Sequence, residues 1–137
     1  MKINEKYPLR ILLAEDNAIN QKLILRMFQM LGYTVQIASN GYESIEILNR
    51  MKIDIIFMDI QMPGMDGIEA TRKIIENWGD KRPLIVAMTA NALSTDKAAY
   101  LAAGMDDCIS KPITIDQLGK GIEKWASLLN LNNQFLP

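Results

Sequence analysis

Five short, mainly apolar runs alternating with helix-like stretches restrict this chain's fold more than any other feature. The runs occupy residues 9–14, 33–38, 54–58, 83–88 and 107–109. The first, third and fourth are almost wholly apolar, as strands buried on both faces are. Within 17–31, Ile19, Leu23, Met27 and Met30/Leu31 recur at helical spacing, and Gly32 stands where a helix-ending glycine belongs. Asn40 and Glu43 have capping-box spacing and open a helix to about residue 51. Residues 61–67 read as a loop from their Pro and Gly content, 68–78 as a helix, and 95–103 as a helix stopped by Gly104. Thr114 and Gln117 form a second capping box, after which Ile115, Leu118, Ile122, Trp125 and Leu129 line one helical face. Five strands alternating with five helices predict an α/β fold, a doubly wound five-stranded parallel sheet covered on both faces. Residues 1–8 read as a linker or trimmed end, 9–129 as one domain, and 130–137 as a polar tail.

Composition removes several function classes. Fifteen basic and sixteen acidic residues leave a net charge of −1, so neither nucleic acid nor a membrane surface is an expected partner. The apolar runs are too short to span a bilayer and no signal-like start is visible, so a cytoplasmic domain is expected, whether or not a parent protein is membrane-anchored. The lone Cys108 cannot form an internal disulfide. The absence of histidine excludes a histidine base, phosphodonor or metal ligand within these 137 residues, so any metal site must be built from oxygen.

A doubly wound sheet places its site beyond the carboxyl ends of its strands, where the strand order reverses. Glu15 and Asp16 follow the first run, Asp59 the third, Thr89 the fourth and Lys111 the fifth, with Pro112 next. Taken singly, an Asp after a strand is usually a cap or turn former. Together they put three carboxylates, a hydroxyl and an ammonium on one rim. Clustered carboxylates repel one another and need a cation, and hard oxygen ligands suit Mg²⁺. A carboxylate can also act as a nucleophile and form an aspartyl-phosphate, with the metal, lysine and hydroxyl neutralising the phosphoryl oxygens.

Leu-Leu-Ala-Glu15-Asp16-Asn, Phe-Met-Asp59-Ile-Gln-Met-Pro63-Gly-Met-Asp-Gly67, Met-Thr89-Ala-Asn-Ala and Ser-Lys111-Pro112 resemble the receiver domains of two-component signalling. The stretches around Asn20, Asn91 and Asp107 are most similar to receivers attached to hybrid histidine kinases. The resemblance covers about residues 9–129 and implies a flavodoxin-like sheet of order 2-1-3-4-5. It implies Asp59 as phosphoacceptor, and Mg²⁺ held by Asp16, Asp59 and the Gln61 carbonyl, with Glu15 acting through a metal-bound water. It also implies Thr89 and Lys111 on the phosphoryl oxygens and a cis Lys111–Pro112 peptide. The implied partner is a histidine kinase or histidine phosphotransfer domain. The chain is then a self-phosphorylating signalling domain rather than a turnover enzyme, excised from a larger kinase or standing alone, with excision favoured. One position departs from the pattern: Cys108 stands where receivers commonly hold a switching aromatic. That departure predicts weak coupling to the last helices and a monomer or weak dimer. The alternatives are a Mg²⁺-dependent aspartyl-phosphate phosphatase, weakened by Gln61 where a second Asp is wanted, and a pseudo-receiver that only binds protein. An FMN-binding reading fails because Glu15 and Asp16 would repel a phosphate.

Overall fold

The computed structural model describes residues 3–90 and 94–133. Its elements are α1 (Ile3–Lys6), β1 (Ile11–Ala14), α2 (Ala18–Met30), β2 (Val35–Ala38), α3 (Gly41–Arg50), β3 (Ile55–Asp59), α4 (Gly67–Trp78), β4 (Leu84–Thr89), α5 (Ser94–Ala102), β5 (Asp107–Ser110) and α6 (Ile115–Asn133), with a 3-10 turn at Gly79–Lys81. The strands form one sheet of order β2-β1-β3-β4-β5, every pairing parallel. This is the doubly wound order expected from the resemblance.

Two apolar layers enclose the sheet. On one face Ile11, Leu13, Phe57, Val86 and Met88 pack with Ile24 and Phe28 of α2 and Leu118, Ile122 and Trp125 of α6. Phe57 sits edge-on to both Phe28 and Trp125, at ring-centroid distances of 5.0 and 5.3 Å. On the other face Leu12, Ile56, Met58, Ile85 and Ala87 pack with Ile47 and Leu48 of α3, Ala70 and Ile74 of α4, and Tyr100 of α5. Alternate strand residues feed opposite layers, which is why β1 is wholly apolar and β3 and β4 are apolar up to their last residues, Asp59 and Thr89.

Local signals set the helix ends. The side chain of Asn40 accepts the Glu43 N–H at 2.8 Å, and Asp66 accepts the Glu69 N–H at 2.8 Å. Thr114 and Gln117 close a reciprocal box at 3.0 and 3.2 Å. Gly32 ends α2 at φ 92°, where the Tyr33 N–H reaches back to the Phe28 carbonyl at 2.9 Å.

Three expectations differ from the structure. Residues 3–6 form a helical turn rather than a polar linker, with Ile3 and Tyr7 packed on the core and the Tyr33 hydroxyl donating to the Tyr7 carbonyl at 2.6 Å. The last helix continues to Asn133, into the stretch expected as a tail. On α2 the core face is Ile24 and Phe28, whereas Ile19, Leu23 and Met30 are 70%, 55% and 70% exposed. Residues 91–93, the first two of which end the Thr89-Ala-Asn-Ala stretch, and 134–137 of the expected tail lie outside the described residues. Among the described residues, no helix is long and apolar enough to cross a membrane.

Candidate functional site

Parallel pairing delivers the expected residues to one rim. Ala14 is in register with Met58, so Glu15 and Asp16 emerge beside Asp59. Asp59 is in register with Met88, which places Thr89 one residue beyond. Thr89 is in register with Ser110, and Lys111 follows. The order reverses between β1 and β3, where a doubly wound fold opens its crevice. There, Glu15, Asp16, Asn17, Asp59, Gln61, Asp66 and Lys111 line an open cleft of about 750 Å³.

Glu15, Asp16 and Asp59 each bring a carboxylate oxygen within 4.8 Å of the others. Glu15 and Asp59 are buried, while Asp16 is exposed. Lys111 bridges the two buried acids, its Nζ 3.2 Å from Glu15 Oε1 and 3.2 Å from Asp59 Oδ2. Backbone groups hold the acids from behind: the Asn17 N–H donates to Glu15 at 3.3 Å, and the Gln61 N–H to Asp59 Oδ1 at 3.1 Å. Burial pulls the Lys111 ammonium down in pKa, but the charges of Asp59 and Glu15 outweigh it and hold the group above its ordinary 10.5. It therefore stays protonated across the neutral range.

Within the cluster, the three carboxylates of Glu15, Asp16 and Asp59 meet the single ammonium of Lys111, so acidic groups outnumber basic ones by two there, and Asp66 adds a further acid to the lining of the cleft. That imbalance and the all-oxygen donor set fit a hard divalent cation. Gln61 lines the same cleft through the loop after β3. The Lys111–Pro112 peptide is cis. Thr89 stands at the rim but is not among the described residues lining the cleft; its hydroxyl lies 3.0 Å from that of Tyr100. Two participants escaped the sequence reading. Asp66 is visible in retrospect as the cap of α4. Tyr100 carries no local signal, because it meets Thr89 across eleven residues of chain.

Gly67 shows why the loop after β3 needs its glycine. A Cβ there would overlap the Asp59 carbonyl oxygen and stand 3.0 Å from Ile60 Cα. The Gly67 N–H also donates to the Ile60 carbonyl at 2.9 Å, folding the loop against the end of β3.

Residues 11–123 match the response regulator receiver domain family. The chain belongs to that family. The receiver is 40% identical over 135 residues to hybrid signal transduction histidine kinase K of Dictyostelium discoideum, and 40% identical over 129 residues to the sensor histidine kinase GacS of Pseudomonas protegens. These alignments cover 90% and 91% of the receiver, but only 11% and 14% of the relatives' lengths. Among solved structures, the receiver domain of the sensor histidine kinase PA1611 from Pseudomonas aeruginosa superposes with a TM-score of 0.78 at 38% identity, covering 87% of this receiver and 98% of that chain. That structure has a magnesium ion coordinated in its active-site cleft. The co-crystal structure of the Saccharomyces cerevisiae histidine phosphotransfer protein Ypd1 with the receiver domain of Ssk1 contains a chain matching with a TM-score of 0.81 at 32% identity, covering 88% of this receiver and 90% of that chain.

Proposed function

We propose that this receiver accepts a phosphoryl group on Asp59 from a phosphohistidine of a histidine kinase or phosphotransfer domain, in a site that holds Mg²⁺. The observation carrying the reading is the Glu15–Lys111–Asp59 bridge beside Asp16 at the β1/β3 crevice. A buried carboxylate paired with an ammonium is poised for attack on phosphorus, and the same ammonium can follow the charge onto the phosphoryl oxygens.

Asp16, Asp59 and the Gln61 carbonyl would hold the cation, with Glu15 in support. When bound, it neutralises the carboxylates and the phosphoryl oxygens. A carboxylate oxygen of Asp59 attacks phosphorus in line with the phosphorus–nitrogen bond of the donor. An O–P bond forms, the N–P bond breaks, and its electron pair remains on the departing imidazole nitrogen. Lys111 donates to the transferring group throughout. Thr89 supplies a hydroxyl to the same oxygens once the acyl phosphate has formed. Water later attacks phosphorus, restoring the Asp59 carboxylate and releasing inorganic phosphate. The donor comes from outside these residues, which contain no histidine.

The exposed face of α2 is the docking surface in this reading. Leu23, Ile24, Met27, Pro112 and Ile113 line a small apolar hollow of about 100 Å³ bordered by Glu15 and Lys111. A helical phosphohistidine partner seated there brings its imidazole to the cleft. Incubation with acetyl phosphate and Mg²⁺ should label the wild type on Asp59, as located by peptide mapping, and Asp59→Asn should remain unlabelled while folded. Phosphate mapped to any other residue refutes the assignment.

A further inference from the structure

Tyr100 is the one buried side chain among residues 96–102 of α5, with 8% of its surface exposed. Its phenolic oxygen lies 3.0 Å from the Thr89 hydroxyl, and the pair is buried. Thr89 closes β4 at the rim that carries Asp59, yet it is absent from the described residues lining the open cleft. A hydroxyl that is to meet oxygens carried by Asp59 has to turn toward that cleft, and in this structure it is engaged with α5. On the neighbouring strand, Cys108 offers only a thiol, a weak donor whose pKa is pushed up by burial.

We propose that Tyr100 is the positioning residue of a conformational switch: its hydroxyl holds Thr89 in the resting orientation, and phosphorylation of Asp59 exchanges the Thr89–Tyr100 hydrogen bond for one from Thr89 to the phosphoryl oxygens. The proposal rests on Asp59 being the phosphoacceptor. Because Tyr100 anchors α5 to the core, the exchange is felt along that helix, and the aromatic half of the switch comes from α5 rather than from β5. A ligand that binds the turned-in state of Thr89 competes with the resting hydrogen bond, so removing that bond raises the ligand's apparent affinity.

Tyr100→Phe keeps the ring in the core and removes only the oxygen. In amide NMR titrations with beryllofluoride at fixed Mg²⁺, the variant should bind about two- to tenfold more tightly than wild type, the effect of one neutral hydrogen bond. Unchanged or weaker binding overturns the proposal. In a Thr89→Ala background the same substitution should leave beryllofluoride affinity unaltered, and a persisting gain overturns it as well. Finally, in protein labelled with ¹³C at the tyrosine ε carbons, the resonance lost in Tyr100→Phe identifies Tyr100. It should shift when wild type receives acetyl phosphate and Mg²⁺, and stay in place in Asp59→Asn. An unmoved resonance in protein whose Asp59 carries phosphate by peptide mapping sinks the switch and leaves the phosphoacceptor reading standing, whereas absence of phosphate on Asp59 sinks both.

Discussion

Replacing Asp107 by Asn tests how β5, the strand that delivers Lys111, is fastened. Asp107 opens that strand and is 7% exposed. Its carboxylate accepts from Lys124 Nζ at 2.9 Å and Trp125 Nε1 at 2.9 Å on α6, and from the Cys108 N–H at 2.8 Å. Lys97 of α5 adds an ion pair at 3.5 Å. Burial alone would push this carboxyl up, but the hydrogen bonds from Lys124, Trp125 and Cys108 outweigh it and hold the group at about 2, against an ordinary 3.8. A depressed carboxyl favours the folded state wherever it is ionised. Its contribution is therefore complete well above the unfolded value of 3.8 and is lost as pH falls through about 2. At about 1.4 kcal/mol per unit, the shift amounts to roughly 2 kcal/mol. Asp107→Asn preserves the shape and abolishes the charge. Urea unfolding at pH 7 should show it about 2 kcal/mol less stable than wild type at unchanged m-value. The gap should shrink to roughly half that by pH 3, because wild-type Asp107 is then losing its advantage. A gap below about 0.5 kcal/mol at pH 7, the scale of an ordinary surface change, or one that does not vary with pH, would refute the reasoning.

Gly67→Ala improves helix propensity by up to about 1 kcal/mol but drives a Cβ into the Asp59 carbonyl, an overpacking cost of about 1–3 kcal/mol. A net loss is expected in urea unfolding, with slower labelling of Asp59 by acetyl phosphate. Lys111→Ala removes the ammonium that bridges Glu15 and Asp59; Mg²⁺ binding, followed by amide shifts, should survive, while labelling by acetyl phosphate falls about 100-fold or more. With Lys111 intact and its pKa raised, the labelling rate should show no lysine titration between neutral pH and about pH 9. Leu23→Asp changes an exposed residue, so stability should move by less than about 0.5 kcal/mol and acetyl phosphate labelling should be unaffected, while affinity for a phosphotransfer domain, measured by calorimetry, drops about tenfold or more.

The strands and most helix ends were legible because their causes are local. A strand buried on both faces is apolar along its length, as β1 is throughout and β3 and β4 are up to the Asp59 and Thr89 that end them. The caps at Asn40 and Thr114 and the stops at Gly32 and Gly104 are satisfied within a few residues of chain. The rim of Glu15, Asp16, Asp59, Thr89 and Lys111 was legible for a related reason: once strands run parallel, every residue that ends a strand arrives at the same edge.

The face that α2 turns inward could not be read the same way. The helix carries apolar residues at both Ile19–Leu23–Met30 and Ile24–Phe28, and a periodicity of 3.6 cannot rank two stripes. The choice falls to partners distant in sequence, since Phe28 packs edge-on to Phe57 of β3. The turn at Ile3–Lys6 likewise depends on the Tyr33 hydroxyl beyond α2. The sequence by itself therefore determined the alternation of elements, their caps and which residues reach the rim, because each follows from where an element begins or ends in the chain. Only the tertiary structure decided that Lys111 bridges Glu15 and Asp59, and that Thr89 is turned to Tyr100. Those contacts are set by how strands register and helices pack, across separations at which the local pattern carries no information.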